Sequence, residues 1–510
     1  MPSGPWRTTA SRAPTPQPAE PSSPFSEAFS VFCASYESGC VVVDGGPRFG
    51  PGPGKRMKRR YGFRLLPALT LSLLLTIPLT CTLPLPAGGE EEPFSPLAGP
   101  TTTPMAMVYL PLVQAGVDEW TLWTGSTWLR GANIYQRRVY PELDGPDFLG
   151  PGLIGPPYTQ ADFDNLAALG ANYVNISHPG LFTEEPPYQL DPDVQDNLDR
   201  LLGMAEQAGL FAVITFRTGP GRSEFWAFWG EDVDSDPDEG WFDPSYYNNR
   251  VWADQAAQDG WVAMWQYTAQ RYKDNPVVVG YDLMCEPNAN EVGAYPVGDP
   301  LEVWDPETFY ADYGGTLYDW NQLYPRIVSA IREVDLETPV LVGGMGYSAV
   351  EWLPYLQPVA DLHVVYTFHQ YEPFIYTHQE PPELTNTYPG SFDADGDGEP
   401  DQVDRAWLDD LLSTVDDFVA AHSVPVAANE FGLMRWEPGA DAFMDDQMDF
   451  LEQRGINYAL WAWDPAWSPW AEEVDAFNFR HGPDPNNHAD VGSNLKEVIV
   501  AHWMYNTVRP

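Results

Sequence analysis

Two glutamates that follow similar apolar runs are the residues whose type and setting most directly indicate chemistry. Glu286 closes VVVGYDLMCE, which begins at Val277, and Glu430 closes VPVAANE, which begins at Val424. Apart from Asp282, the first run has no polar residue before its end, as expected of a strand buried on both sides in a parallel sheet. Two carboxyl groups at strand ends are the minimum equipment for cleaving a glycosidic bond.

The segments around these glutamates predict a parallel sheet closed into a barrel. Short apolar runs alternate with helical segments through the body of the chain, which is typical of repeated βα units. Eight runs are candidate strands: Trp128–Ile134, Tyr173–Ser177, Phe211–Arg217, Val277–Cys285, Val340–Gly344, Val364–His369, Val424–Glu430 and Tyr458–Trp463. We therefore expect an α/β fold, a (β/α)8 TIM barrel with long βα loops. Glu286 then ends the fourth strand and Glu430 the seventh, at the face where such barrels place catalytic groups.

Three of the intervening helices have recognisable ends or faces. Thr159 with Asp162 forms a capping box, and a helix opens at Asp191 and closes at Gly209. The longest helix, around Ala253–Tyr272, carries large apolar side chains at helical spacing. We interpret this stripe as the buried face of the helix rather than a sugar-binding surface; it consists of Trp261, Met264, Trp265 and Tyr272.

Polar and aromatic residues near the ends of the sixth and eighth strands complete a candidate site. His369 and Tyr371 lie in TFHQYEP, and Trp461 and Trp463 lie in ALWAWDP. A tyrosine hydroxyl can orient a nucleophile, a histidine can set the protonation of an acid, and a tryptophan can stack on the apolar face of a pyranose. Core packing is the alternative for both tryptophans; it is as well supported as sugar contact for Trp463 and less well supported for Trp461.

These motifs together resemble glycoside hydrolase family 5. The resemblance lies in the order and spacing of LRGANI, LMCEPN, FHQYEPF with THQ, NEFG and WAWDP, and it covers roughly Trp128 to Pro465. It implies a TIM barrel that hydrolyses β-glycosides with net retention of configuration. It also implies that Glu286 is the acid/base and Glu430 the nucleophile. His369 and Tyr371 are then the flanking polar pair, and Trp461 is the sugar-stacking tryptophan.

Three positions depart from the family pattern. Cys285 stands where the family usually has an asparagine that bonds the sugar 2-hydroxyl, and a thiol is a much weaker hydrogen-bonding group. Asn175 replaces the usual arginine of the second strand, and Arg217 replaces the usual histidine after the third. Arg217 either restores the cation lost at position 175, with RTGPGRSEF (217–225) lining the sugar site, or forms a structural ion pair beneath the cleft. The two readings are equally supported by the sequence.

A separate motif, DADGDGEPDQVD, predicts a calcium loop after the sixth strand. Acidic residues recur with the spacing that surrounds a hard divalent cation with oxygen ligands, and Gly398 occupies the sixth position. The expected ligands are Asp393, Asp395, Asp397, Glu399, Asp401 and Asp404. A solvated acidic loop is the alternative, and it is our interpretation of the unpatterned acidic run Glu231–Gly240. The carboxylates already supply the chemistry, so we expect a structural calcium ion and no catalytic cofactor.

The N-terminal quarter of the chain differs in character from the rest. Residues 1–56 are rich in Pro, Ser and Gly and are expected to be disordered, or to be a gene-model extension that precedes a start at Met57. Residues 57–87 combine a basic cluster with an apolar stretch, which predicts a signal peptide or, alternatively, a membrane anchor. Residues 88–107 form a linker rich in Pro, Glu and Thr, and residues 108–510 form the barrel domain. We expect a secreted or cell-surface protein.

Charge and cysteine content exclude several classes of function. The chain has 26 Lys and Arg against 73 Asp and Glu, a formal net charge of −47. Such a field repels phosphate backbones, so no nucleic-acid partner is expected, and nothing in the sequence implies a protein partner. Cys285 is the one cysteine in the barrel domain, so no disulfide is expected there. The chain lacks HExxH, paired CxxC and GxSxG motifs, which leaves zinc-protease and serine-hydrolase functions without support.

Three functions remain compatible with the sequence. The first is a retaining glycosidase that acts on a β-glucan or mannan type polysaccharide. The second is a catalytically weak carbohydrate-binding barrel, motivated by the three departures from the family pattern and opposed by the two intact glutamates. The third is an exo-acting enzyme on small glycosides or glycolipids, if the insert Gln370–Ala406 closes the cleft into a pocket.

Overall fold

The computed structural model describes residues 118–140, 148–224, 248–290, 301, 303–468 and 472–510. The predictions for residues 1–107 and for the acidic run 231–240 lie outside the described residues, as does Phe225 at the end of the segment 217–225. Among the described residues, no helix has the length and apolar character needed to cross a lipid bilayer.

Eight parallel strands form a closed barrel in which each strand pairs with the next and the last pairs with the first. The eight-stranded barrel predicted from the apolar runs is therefore confirmed. The strands are β1 (Arg130–Tyr135), β2 (Tyr173–Pro179), β3 (Phe211–Thr218), β4 (Val278–Asp282), β5 (Val340–Gly343), β6 (Val364–Gln370), β7 (Val426–Phe431) and β8 (Asn457–Leu460).

Helices follow the strands and cover the outside of the barrel. They are α1 (Gln160–Ala168), α2 (Pro192–Ala208), α3 (Gln255–Tyr272), α4 (Pro306–Tyr313), α5 (Trp320–Arg332), α6 (Phe374–Thr377), α7 (Arg405–His422), α8 (Ala440–Gln453), α9 (Glu472–Ala476) and α10 (Asn494–Trp503). Their apolar faces pack against the outward side chains of the strands in one large buried cluster. The stripe on α3 is fully buried, as predicted from its spacing.

The predicted helix ends are also found in the structure. The amide of Thr159 donates to Asp162 Oδ2 at 2.7 Å in front of α1, which is one of the two bonds of a capping box. Asp191 accepts from two backbone amides at the start of α2, and Gly209 ends that helix with φ of 66°, a left-handed conformation that suits glycine.

The N-terminal end of the barrel is filled by apolar side chains. Leu341, Val213 and Val279 belong to an interior cluster of buried apolar side chains. A short 3-10 helix, Glu119–Trp123, closes this end, and the indole of Trp123 donates to the Val279 carbonyl at 2.8 Å. This end of the barrel is therefore a packed core rather than a pore.

Two strands end three residues earlier than their apolar runs predict. β4 ends at Asp282 rather than at Cys285, and β8 ends at Leu460 rather than at Trp463. Beyond these ends, isolated backbone bonds replace the regular ladder: the Cys285 amide donates to Phe216, and the Trp461 amide donates to Phe431. The chain thus leaves the sheet just before Glu286 and Trp461. The sequence did not predict these strand ends, because a hydrophobic pattern shows burial but not the point where backbone pairing stops.

Candidate active site

The C-terminal ends of β4, β6 and β7 bring three ionisable side chains together. His369, from β6, has its Nδ1 2.9 Å from Glu286 Oε1 and 3.6 Å from Glu430 Oε1. One carboxylate oxygen of Glu286 lies within 4.8 Å of one oxygen of Glu430. The two glutamates that the sequence places at the ends of the fourth and seventh strands therefore face each other across a single histidine.

The backbone at Glu286 adopts a conformation that is unfavourable for a residue with a side chain. Its φ is 51°, in the left-handed region, which costs a non-glycine residue roughly 1–2 kcal/mol. Such conformations persist where surrounding contacts fix them, and here the contacts come from the buried Arg222. Its guanidinium donates to the Cys285 carbonyl at 2.7 Å and to the Glu286 carbonyl at 2.9 Å. Arg222 therefore holds the turn that points the Glu286 side chain into the mouth of the barrel.

Glu430 is buried and is bound by a tyrosine from the neighbouring strand end. The Tyr371 hydroxyl donates to Glu430 Oε1 at 2.8 Å. Burial raises the pKa of Glu430, and the nearby Glu286 adds to this, whereas His369, Arg217 and the Tyr371 hydrogen bond favour the carboxylate and offset part of the rise. The ionised form of Glu430 thus depends on the positive groups around it.

His369 and Tyr371 are hydrogen-bond donors of different charge at this site. Burial lowers the pKa of His369, but the Glu430 and Glu286 carboxylates outweigh burial and raise that pKa to about 9. His369 is therefore an imidazolium at neutral pH. Burial raises the pKa of Tyr371 well above its usual value, so its hydroxyl remains a neutral donor.

Arg217 lies at the same site and also forms a buried ion pair. Its Nε is 3.1 Å from Glu224 Oε1, and both side chains are almost completely buried. The guanidinium also donates to Ser177 Oγ at 3.2 Å, and its Nη1 lies 3.9 Å from Cys285 Sγ. The ion pair, which was one of the two interpretations of Arg217, is therefore present, and it positions the guanidinium beside Cys285.

The two tryptophans after β8 have different surroundings. Trp461 packs edge to face against Tyr135, and the Arg217 guanidinium lies 5.5 Å from the centre of its ring, so it belongs to the mouth of the barrel. Trp463 is buried under α1, where its indole donates to the Asp162 carbonyl at 3.0 Å. This position favours core packing for Trp463 over the sugar contact predicted from the sequence.

Asn175, which the sequence analysis assigned to the sugar site, lies deeper in the barrel, below Glu286 and Glu430. It bonds Asn133 Oδ1 at 2.7 Å and accepts from Thr215 Oγ1 at 2.6 Å. Thr215 also approaches Asp282 Oδ2 at 3.2 Å, and Asp282 in turn accepts from the side chain of Asn429, the neighbour of Glu430. Asn175 is therefore part of a buried polar network, which we call the interior network, beneath Glu286 and Glu430.

Asp282 is the ionisable member of the interior network. Burial raises the pKa of Asp282 to about 7, although His369, Thr215 and Asn429 favour its charged form. The sequence showed Asp282 only as the single polar residue in an apolar run. A polar side chain inside a buried strand is the signal from which the network could have been inferred. The position of Arg222 had no such signal, because it depends on the conformation of a loop.

The predicted calcium loop is folded, and part of its ligand set converges. Asp393, Asp395 and Asp401 each offer an oxygen within 4.8 Å of the others. Asp397 and Glu399 lie in the exposed tip of the loop. Asp404 Oδ1 accepts from the amide of Ala406 at 2.9 Å and so caps α7. The structure therefore brings three of the six predicted ligands together.

A third ionisable cluster joins the loop after β8 to the loop after β7. Asp475 accepts from His481 at 2.7 Å, from His488 at 3.1 Å and from Arg435 at 3.0 Å. Arg435 also donates to the Gly482 carbonyl at 2.6 Å. Because a guanidinium already neutralises Asp475, these contacts fit a structural tie better than a cation site.

Comparisons with known proteins find relatives of the barrel domain. The family model described as Cellulase (glycosyl hydrolase family 5) matches residues 144–466. Endoglucanase C of Acetivibrio thermocellus is 24% identical over 224 residues, which cover 44% of this chain and 52% of that protein. Cellodextrinase A of Ruminococcus flavefaciens is 22% identical over 274 residues, which cover 54% of this chain and 68% of that protein. The chain thus spans about half the length of the endoglucanase C that it matches.

A solved structure supports the fold. The endoglucanase Cel5A of Pseudomonas stutzeri superimposes with a TM-score of 0.50 and 17% sequence identity. The match covers 75% of this chain and 96% of that one. At this level of identity the likeness concerns the barrel alone.

Proposed function

Since the family model matches residues 144–466, the chain belongs to glycosyl hydrolase family 5, and on that premise we propose that it hydrolyses β-glycosidic bonds in a β-glucan or mannan type polysaccharide. The observation that carries the proposal is the pair of carboxyl groups at the barrel mouth, Glu286 and Glu430, with nearest oxygens within 4.8 Å. Two carboxyl groups facing one space are what acetal cleavage needs.

The separation of the carboxyl groups supports a double displacement with net retention. Inverting enzymes keep about 6.5–9.5 Å between their carboxyl groups to admit a water molecule, whereas retaining enzymes keep about 5–5.5 Å. Glu430 attacks the anomeric carbon while the bond to the leaving oxygen breaks and Glu286 protonates that oxygen. Glu286 then takes a proton from water, the water oxygen bonds the anomeric carbon, and Glu430 leaves as a carboxylate.

The groups around the glutamates fit these steps. Tyr371 orients the oxygen of Glu430 through its hydrogen bond, and His369 holds a proton 2.9 Å from Glu286. The positive charge of His369 favours the ionised form of Glu430, which is the form that attacks. Beside Cys285, a weak hydrogen-bonding group, Arg217 provides the donor for a sugar hydroxyl, and Trp461 provides an aromatic edge for the ring.

A panel of substrates tests the proposal. Hydrolysis of β-glucan, mannan or their aryl glycosides by the wild type, lost in both Glu286→Gln and Glu430→Gln, is the expected result. Binding of the same polysaccharides without turnover by the wild type would favour the carbohydrate-binding barrel instead. No turnover and no binding across the panel would contradict the proposed function.

Two further proposals concern calcium and export. We propose that the loop 393–404 holds a structural Ca²⁺ through Asp393, Asp395 and Asp401, supported by the convergence of their oxygens. Chelation should lower the melting temperature and calcium should restore it, and identical melting curves would contradict this site.

We also propose that expression from Met57 yields an exported protein that begins near Gly88; residues 1–56 on the exported product would contradict that start.

A further inference from the structure

Strand β7 contains one residue more than either neighbouring strand near its C-terminal end. Four residues of β7, 427–430, lie opposite three residues of β6, 367–369. Four residues of β7, 428–431, likewise lie opposite three residues of β8, 458–460. Asn429 has a ladder partner in neither of these two described strands, so it is the extra residue of a β-bulge.

The bulge changes the direction in which Glu430 points. Before it, β7 alternates regularly, because Ala427 packs in the interior cluster and Ala428 in the outer core. Uninterrupted alternation would place Asn429 inside the barrel and Glu430 outside. In the structure both side chains bond groups inside the barrel, and Phe431 returns to the outer core. The extra residue therefore turns the Glu430 carboxyl group into the mouth of the barrel.

The carbonyl of the bulge residue is bound from across the barrel. A bulge removes backbone groups from the ladder, and a buried carbonyl must then find another donor. The Asn429 carbonyl accepts from Asn133 Nδ2 at 3.0 Å and from Asn175 Nδ2 at 3.3 Å. These asparagines lie on β1 and β2, neither of which is adjacent to β7. We call this carbonyl and the two amides that bind it the bulge clamp.

The two amides of the bulge clamp are held in fixed orientations. Asn175 Nδ2 also donates to Asn133 Oδ1 at 2.7 Å, and Asn175 Oδ1 accepts from Thr215 Oγ1 at 2.6 Å. Asn133 Nδ2 donates in addition to the Ala459 carbonyl at 3.1 Å. Because each amide oxygen already accepts a hydrogen bond, each nitrogen is directed toward the Asn429 carbonyl. Both asparagines are almost completely buried, so water does not compete for these bonds.

The clamped carbonyl belongs to the peptide group that joins Asn429 to Glu430. A peptide group is planar, so the position of its oxygen restricts the Cα atom of the following residue. The side chain of Asn429 is held as well, because its Nδ2 donates to Asp282 Oδ2 on β4. Side chains from the far strands of the barrel thus fix the residue from which the Glu430 side chain is directed.

We propose that Asn175 and Asn133 are positioning residues for Glu430, which act by holding the Asn429 carbonyl and with it the bulge. This inference rests on the proposed function, in which Glu430 attacks the anomeric carbon. Both asparagines bond the backbone of β7 rather than the Glu430 carboxyl group, so they act on the attack through the strand. The role of Asn175 is then to place the nucleophile and not to contact the sugar.

The rate at which Glu430 bonds a sugar measures how well it is positioned. The probe is the 2-deoxy-2-fluoro-β-glycosyl fluoride of the sugar that the wild type releases. A Glu430 oxygen bonds the anomeric carbon, fluoride leaves with the electron pair of its bond, and the fluorine at C2 slows hydrolysis of the labelled protein. Mass spectrometry follows the labelling and identifies the labelled residue.

Asn175→Ala should slow this labelling by about tenfold or more, because a displacement of roughly 1 Å greatly reduces the rate of attack. The inhibition constant of the released sugar should stay unchanged, since the bulge clamp does not contact the substrate. Asn175→Ser, whose hydroxyl lies further from the Asn429 carbonyl, should be slowed as well, and it replaces the alanine variant if that variant does not fold. Melting curves establish which variants are folded.

Asn172→Ala is the matched control at the other end of the barrel. Asn172 is fully buried just before β2 and donates to the Trp128 carbonyl at 2.8 Å. Its replacement removes the same amide group from the same part of the chain and should lower the melting temperature. It should leave the labelling rate unchanged, because Asn172 does not belong to the bulge clamp.

A double-mutant cycle tests whether the two asparagines act through one carbonyl. Asn133→Ala should slow labelling on its own. Asn175 orients Asn133 through their mutual hydrogen bond, so the loss in the double variant should be smaller than the product of the two single losses. Losses that multiply would contradict a shared clamp.

The remaining outcomes separate the bulge clamp from the proposed function. Labelling of a folded Asn175 variant at the wild-type rate would contradict the clamp, as would equal slowing in Asn172→Ala. An active wild type that is labelled at a residue other than Glu430 would contradict the assigned nucleophile. A wild type that cleaves no β-glycoside would contradict the proposed function, and the clamp with it, because no nucleophile would need to be positioned.

Discussion

The two ends of the barrel are built from the same eight strands and differ in nearly every physical property. The N-terminal end is an apolar cluster around Leu341, closed by Trp123. The C-terminal end places His369 Nδ1 2.9 Å from Glu286 and 3.6 Å from Glu430. The first arrangement stabilises the fold through burial of apolar surface, and the second buries charges that must be compensated by one another.

The third strand shows the transition residue by residue. Val213 belongs to the apolar cluster, Thr215 to the interior network and Arg217 to the candidate site. The second strand follows the same order. Tyr173 belongs to the apolar cluster, Asn175 to the interior network, and Ser177 accepts a hydrogen bond from Arg217. Alternation along a strand decides which residues face inward, and distance along the strand decides whether an inward residue serves stability or chemistry.

The largest expected effect is the loss of turnover on removal of Glu430. Glu430→Ala should lower kcat by at least about 10⁴-fold, because no other group in the proposed mechanism can attack the anomeric carbon. Its unfolding free energy should not fall, since burial disfavours the charged carboxylate. Azide should restore turnover and give a glycosyl azide of inverted configuration. In Glu286→Ala, azide should give the retained product, and exchange of the two outcomes would contradict the assigned roles.

The opposite effect is expected at the other end of the barrel. Leu341→Ala removes a fully buried side chain from the apolar cluster and should lower the unfolding free energy by about 2–5 kcal/mol. Well below the melting temperature, kcat should stay within about twofold of the wild type, because the cluster lies beneath the interior network. Denaturant unfolding and steady-state kinetics measure the two quantities. A large loss of kcat without loss of stability would contradict the assignment of the N-terminal end to stability rather than to catalysis.

The interior network should show intermediate behaviour that depends on pH. The pKa of Asp282 is raised from its ordinary value of 3.8 to about 7 by burial. The folded protein therefore binds a proton that the unfolded chain releases, so stability falls as pH rises from about 4 to about 7. Up to about 4 kcal/mol of unfolding free energy should be lost over this range in the wild type but not in Asp282→Asn. Parallel pH profiles for the two proteins would contradict a protonated Asp282.

A smaller effect should follow from the charge of Arg217. Arg217 lowers the pKa of Glu430, so its replacement by Gln should raise that pKa and shift the acidic limb of kcat/KM to higher pH. Combining Arg217→Gln with Glu224→Gln avoids leaving an unpaired buried carboxylate. Arg217→Lys retains the charge, and Arg200→Gln removes an exposed arginine on α2; both should leave the limb in place. An unmoved limb in the double variant would exclude Arg217 from the electrostatics of Glu430.

The sequence predicted the elements that depend on local pattern. Apolar runs located all eight strands, and their ends located Glu286 and Glu430, because a strand buried on both faces is a continuous hydrophobic segment. The same pattern favoured Trp461 over Trp463 as a sugar contact but left core packing open for both; in the structure Trp461 lies at the mouth and Trp463 in the core. It also extended β4 beyond Asp282, since apolar residues continue to Cys285 after the ladder has ended.

Residues that depend on loop conformation were beyond the sequence. Arg222 takes its place through a loop conformation that no local pattern encodes. Asp404 has the spacing of a calcium ligand, but it directly precedes α7, and its carboxylate accepts hydrogen bonds from the first amides of that helix as an N-cap. Spacing identified the candidate ligands, and the fold determined which of them remain together.

The most direct test of the account is the configuration of the sugar at the moment of release. Proton NMR spectra recorded in the first minutes of hydrolysis of a β-linked oligosaccharide, before the anomers equilibrate, report that configuration. The close pairing of Glu286 with Glu430 predicts that the β-anomer appears first and the α-anomer only later through mutarotation. Initial release of the α-anomer would contradict the double displacement and the roles assigned to both glutamates.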